Sequence, residues 1–155
     1  MKRYILYFAL LTAGLVLGKP FPSMDVAKLL PVEAICIYRD GTQIVAETDL
    51  ENKGVGDDVE AAFADLKAHA KGIVFLDTAD YVLARSGCED QIQALTGILR
   101  PACQLCMVQG EGMELSDILP FLHGHETDLT LADYRAGKER IPTLYLENGR
   151  ITLES

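Results

Sequence analysis

Hydrophobic and polar positions change period several times along the chain, and each change marks an element. Glu33-Ala-Ile-Cys-Ile-Tyr-Arg39 is rich in β-branched and aromatic residues and reads as a strand. Asp40-Gly41 is a tight-turn pair, and Gln43–Thr48 returns as the second strand of a hairpin. Gly54-Val-Gly56 then loosens the chain. Val59, Ala62, Phe63, Leu66 and Ala70 fall on one face at helical spacing. Asp57 or Asp58 is placed to cap that helix, Glu60 to complete a capping box from Asp57, and Gly72 to stop it.

Two short apolar runs follow, Ile73–Leu76 and Tyr81–Ala84, broken near Asp77-Thr-Ala-Asp80. Both read as extended. Ser86-Gly87 turns the chain into a helix with Ile92, Leu95, Ile98 and Leu99 inward, which Arg100-Pro101 ends. Gln104–Gln109 is a strand, Gly110-Glu-Gly112 a loop, and Met113–Leu122 an apolar helix with a bend expected at Pro120. Thr130–Arg135 has room for one short helix, and Ile141–Leu146 and Ile151–Leu153 form a hairpin around Asn148-Gly149. The order β-β-α-β-α-β-α-β-β predicts an α/β (mixed α+β) fold. Alternation in the middle implies parallel crossovers, and hairpins at both ends imply antiparallel edges. The expected architecture is a mixed central sheet with flanking helices.

The N-terminus changes the picture of location. Lys2-Arg3 precede fifteen uncharged residues, Tyr4–Gly18, and then Lys19-Pro20-Phe21-Pro22. A basic start, an apolar run and a polar stop make residues 1–19 a signal peptide or an N-terminal membrane anchor. The run is short against the roughly 20 apolar residues that span a bilayer core, but snorkelling of Lys2, Arg3 and Lys19 extends its reach. No small-x-small cleavage site is evident. Pro20, Pro22 and Pro31 make residues 20–31 a linker with little regular structure, although Met24–Leu30 has room for one or two helical turns. Residues 32–155 are then a single globular domain, exported to a compartment where disulfides are permitted.

Charge narrows the partners. The chain carries 14 Lys and Arg against 23 Asp and Glu, a net −9. Lys2, Arg3 and Lys19 belong to the acid-free N-terminal segment, so the other 11 bases leave the body at −12. Such a surface repels phosphate backbones and anionic head groups. Nucleic acid is therefore excluded as a partner, and the body sits beside a membrane by tethering rather than adhesion.

Four cysteines supply the only candidate chemistry. Cys103-x-x-Cys106 has the spacing of dithiol enzymes and zinc knuckles, and Arg140-Ile-Pro-Thr-Leu-Tyr-Leu-Glu-Asn-Gly149 reads like the proline loop and hairpin of a thioredoxin. A dithiol enzyme places its first cysteine at a helix start, where the dipole lowers its pKa. Cys103 instead follows a helix end, and Cys106 lies in a strand-like run. Residues three apart on a strand point to opposite faces. The expected reading is structural: Cys106 as a small buried hydrophobe and Cys103 partly covered. Cys88 reads as the more exposed thiol, with Glu89 and Asp90 opposing its ionisation. Cys36 with Cys103 or Cys106 is a conceivable disulfide, and four cysteines permit three full pairings. His123-Gly-His125-Glu126 reads as a solvated loop after a helix rather than a metal site, and His69 as a residue on the polar side of its helix. No nucleophile elbow, P-loop or dinucleotide fingerprint occurs. No catalytic, cofactor-binding or metal-binding residue is assigned, and no cofactor is expected.

The layout of the body resembles the N-terminal domain of the Ger(x)C proteins, the C subunits of bacterial spore germinant receptors. The matching pieces are Leu30-Pro-Val-Glu-Ala-Ile-Cys-Ile37, Val59-Glu-Ala-Ala-Phe-Ala-Asp-Leu66, Asp80-Tyr-Val-Leu-Ala84, Ile98-Leu-Arg100, Cys103–Gly110, Leu115-Ser-Asp-Ile-Leu119 and Ile141–Glu154. The match is one of order and pattern from about residue 30 onward. Two departures stand out. Lys19 occupies the place of the family's lipid-bearing cysteine, and the family continues into two further domains where this sequence stops, so a stand-alone first domain is expected. The resemblance implies a non-enzymatic, extracytoplasmic interaction domain on the outer face of the cytoplasmic (spore inner) membrane, working with integral-membrane germination subunits. The alternative is a thioredoxin-like thiol-disulfide oxidoreductase using Cys103 and Cys106.

Overall fold

The computed structural model describes residues 28–110, 112–125, 127–138, 140–147 and 149–154. The expected signal or anchor at 1–19 and most of the linker lie outside the described residues. Among the described residues no helix is long and apolar enough to cross a membrane.

Among the described residues, nine strands and four α-helices follow in the order β1 (Leu29–Pro31), β2 (Ala34–Asp40), β3 (Gln43–Thr48), β4 (Lys53–Gly56), α1 (Val59–His69), β5 (Ile73–Phe75), β6 (Tyr81–Arg85), α2 (Ile92–Ile98), β7 (Gln104–Gly110), α3 (Leu115–Gly124), α4 (Leu131–Arg135), β8 (Thr143–Glu147) and β9 (Arg150–Glu154). Seven strands form one mixed sheet in the order β4-β3-β2-β6-β7-β8-β9. Its four middle strands β2, β6, β7 and β8 are parallel, and both ends close with antiparallel neighbours. The architecture is the mixed sheet with flanking helices that the alternation implies.

The middle strands are apolar on both faces because helices lie on both. Ile35, Ile37, Val82, Ala84, Leu105 and Met107 point to one side, against Val59, Phe63 and Leu66 of α1, Ile92 and Leu95 of α2, and Leu131 of α4. The alternate residues Ala34, Cys36, Tyr81, Leu83, Cys106 and Val108 point to the other, against Leu115, Ile118, Leu119 and Leu122 of α3. Helix α3 runs through Pro120, which stays on its exposed side.

Three details differ from the sequence reading. Gly54-Val-Gly56 is not a loop but the edge strand β4, antiparallel to β3. Leu29–Pro31, expected within an irregular linker, pairs in parallel with β5 as a separate two-stranded sheet, which a terminal proline tolerates. The cap of α1 is Asp58, whose carboxylate accepts the Ala61 N–H at 2.8 Å; Glu60 therefore falls one position short of completing a box. The helix ends at His69, before Gly72.

A full capping box does occur at α4. Thr130 Oγ1 accepts the Asp133 N–H at 3.2 Å, and the Asp133 carboxylate accepts the Thr130 N–H at the same distance. Lys138 Nζ approaches the same carboxylate at 2.7 Å. Lys138 first, then Thr130, hold the Asp133 carboxyl down at about 2. A depressed carboxyl stabilises the folded state above its unfolded pKa of about 4 and loses that contribution as pH falls through the folded value. The urea midpoint of the native chain is accordingly expected to exceed that of Asp133→Asn by a constant margin above about pH 4. The margin should shrink between pH 4 and pH 2; a gap independent of pH would contradict this linkage.

Candidate functional site

The cysteine pair is fixed by β7. Cys103 precedes the strand and is buried with Leu105 and Met107 on the α1–α2 side, whereas Cys106 is buried on the α3 side. The two thiols thus lie on opposite faces of the sheet, as strand alternation requires, and both are free. Burial pushes each thiol up to about 12, with Arg100 opposing the rise at Cys103 and a hydrogen bond to Thr127 opposing it at Cys106.

Cys36 shares the α3 side with Cys106, but Leu83 of β6 stands between them in register. Two strand spacings put their backbones roughly 9–10 Å apart, beyond disulfide reach. Burial raises Cys36 to about 11 despite the nearby Arg85 guanidinium. Cys88 corrects the sequence reading: it is fully buried against the α1–α2 core. Its thiol is pushed up mainly by burial, with Asp90 and Glu89 adding to the rise and Arg39 opposing it.

Each histidine is engaged by protein groups, His69 and His125 within one helical turn and His123 across the fold. His123 meets Glu33 through Nε2, and His125 stacks on Phe121 with ring centroids 4.0 Å apart while Nδ1 lies 2.9 Å from the Phe121 carbonyl. His69 is exposed and pairs with Asp65 one turn earlier. Among the described residues no group of three His, Cys, Asp or Glu is placed to hold a metal.

A concavity among the described residues is built from positions that no motif connects. A cleft of about 530 Å³ opens on the α3 side of the sheet, where the start of α3 leaves β2 and β3 uncovered. Cys36 and Tyr38 of β2, Arg85 at the end of β6, and Val108 of β7 form its floor; Met113, Glu114, Leu115, Ser116 and Ile118 form one wall; Glu47, Thr48, Asp49, Glu51 and Lys53 form the other. It lies toward the carboxyl ends of parallel strands, a common place for binding in open α/β sheets.

Its charges are mostly spoken for. Lys53 pairs with Glu47 at 3.0 Å, and Asp49 accepts the N–H groups of Glu33 and Ala34 at 3.1 and 3.3 Å. Burial nevertheless raises the Asp49 carboxyl. Glu51 adopts φ +58°, an unusual conformation for a non-glycine residue. Arg85 is engaged only in part: its guanidinium hydrogen-bonds the Cys36 thiol. Its guanidinium carbon sits 5.1 Å from the centre of the Tyr38 ring, and its Nε is buried without a hydrogen-bond partner. A stranded donor of this kind costs roughly 1–3 kcal/mol until an acceptor reaches it. The sequence analysis assigns Arg85 no role, because its place beside the early residues of α3 arises only on folding.

The chain has no match among protein-family models, curated proteins or solved structures.

Proposed function

We propose that this chain is a non-enzymatic interaction domain, tethered through residues 1–19 to the outer face of the cytoplasmic membrane and related to the spore germination proteins. Its partners are integral-membrane subunits of that system. The observation that carries the binding reading is Arg85. A half-buried guanidinium with an unsatisfied Nε, on the floor of an open cleft between acidic walls, suits a partner segment that brings a carboxylate to the floor. Arg is well fitted to such a role, because its planar fork binds carboxylate in two places. The buried, separated and weakly acidic thiols weigh against the oxidoreductase alternative, since exchange requires an accessible thiolate.

A phosphatase reporter fused after Ser155 tests the location: the fusion should be active, sediment with membranes, resist high salt and dissolve in detergent. An inactive fusion in the soluble fraction would overturn the proposal. For the cleft, a photo-crosslinking residue at Ser116 should form a membrane-protein adduct in sporulating cells. Arg85→Ala should reduce that adduct about tenfold while leaving the folded chain intact, in line with the loss of a well-placed charged contact.

A further inference from the structure

The two ends of the main sheet differ. At the β4 end, α1 packs along the edge strand so closely that Gly54 and Gly56 have no room for a side chain. Asp65 of α1 accepts the Val55 N–H at 3.0 Å, which satisfies one of the groups a free edge would expose. At the β9 end no further strand follows among the described residues. Alternate backbone groups of β9 bond to β8, and the intervening ones face outward.

The side chains of β9 have a symmetry of their own. The strand reads Arg150-Ile-Thr-Leu-Glu154, with Arg150, Thr152 and Glu154 exposed and Ile151 and Leu153 half-buried on the α3 side. Laid antiparallel to itself about Thr152, it places Arg150 opposite Glu154, Ile151 opposite Leu153, and Thr152 opposite Thr152. Opposite charges, paired aliphatic residues and paired threonines are each favourable across antiparallel strands. A two-fold axis through Thr152 creates all five pairs at once, which is the self-complementarity an isologous interface needs. A parallel pairing in the same register would instead set Arg150 against Arg150 and Glu154 against Glu154.

We infer that β9 is the contact through which two copies of this chain associate, forming one continuous antiparallel sheet across a two-fold axis at Thr152. The half-exposed Ile151 and Leu153 then meet their counterparts and extend the apolar layer beneath α3 across the junction. Backbone hydrogen bonds supply the attraction, and the Arg150–Glu154 pairs set direction and register. This contact lies at the far end of the sheet from the Arg85 cleft and does not rest on the membrane-partner reading.

Cysteine cross-linking of the full chain in mild detergent tests both the contact and its register. Thr152→Cys should yield a covalent dimer under gentle oxidation, because the two-fold axis brings that position against itself. Arg150→Cys and Glu154→Cys, each alone, sit about 13 Å from their own counterparts, four residues apart along the strand, and should cross-link at least tenfold less. Mixed together, these two variants should restore dimer to about half the Thr152→Cys level, because random pairing makes half of the dimers mixed. Absence of a Thr152→Cys dimer would overturn the inference, as would equal cross-linking at all three positions or an adduct of a mass other than twice the chain. Folding is checked without cysteine at the edge: Arg150→Glu should weaken self-association at least tenfold in sedimentation, and Arg150→Glu with Glu154→Arg should restore it. Failure of that charge exchange to restore association would equally refute the pairing.

Discussion

Gly54→Ala is expected to destabilise the protein by about 3 kcal/mol or more, because the new methyl would land on helix backbone rather than on a side chain that can turn away. A Cβ at Gly54 would lie 2.2 Å from the Ala62 carbonyl oxygen and 2.3 Å from the Leu66 nitrogen. Relief requires α1 to lift off β4. That would disturb the packing of Val59, Ala62, Phe63 and Leu66 together, all of them buried. Gly97→Ala provides a control of opposite sign. Gly97 lies inside α2 with nothing within 4 Å of its added Cβ and no positive φ. Alanine there should stabilise by roughly 0.5–1 kcal/mol through better helix propensity and a less flexible unfolded chain. Urea melts of the two variants in parallel check both signs. A Gly54→Ala variant as stable as the native chain would mean that β4 and α1 are not in contact as described.

The second large effect is chemical. At pH 8 a disulfide reagent should leave all four thiols of the folded chain unmodified for many minutes, whereas all four should react at once in concentrated guanidinium. Raising a thiol from its ordinary value to about 12, as at Cys103 and Cys106, removes roughly three powers of ten of thiolate at neutral pH. Burial then withholds even that remnant from the reagent. Insulin reduction should show no turnover, and Cys103→Ser should change nothing in that assay. Turnover abolished by Cys103→Ser would defeat the binding reading and restore the dithiol alternative. A rapid native reaction of Cys106 alone would show that α3 leaves its side of the sheet readily.

The parts of the fold legible in sequence are those where local pattern and burial agree. Strands β2, β6 and β7 announce themselves as short apolar runs because both of their faces are covered. Helix α1 shows its buried face by spacing alone. The opposed placement of Cys103 and Cys106 follows from the two-residue period of a strand, without any knowledge of what covers either face. What escaped reading depended on distant neighbours. Strand β4 carries two glycines, which argue against a strand on propensity; they are there because a helix backbone presses on them. Strand β1 is three residues long and ends in proline, so only its partner β5 makes it a strand. Cys88 looked exposed because Glu89 and Asp90 follow it, yet its side chain turns into the core while theirs face solvent. The cleft was illegible for the same reason. Its lining comes from β2, β3, the turn into β4 and its first residue, β6, β7, and the start of α3 with the two residues before it, and no spacing in the chain ties Arg85 to Tyr38 or Ser116.

Asp65 has one more consequence. A sheet with two open edges can recruit copy after copy, and the outcome is a fibre. Here the carboxylate on α1 occupies the Val55 N–H, and α1 itself crowds Gly54 and Gly56, so one edge is obstructed within each molecule. If two chains join through β9, both β9 edges are consumed, and the joined sheet presents only its two obstructed β4 ends. Association through β9 would then stop at two, with α1 obstructing further pairing at β4.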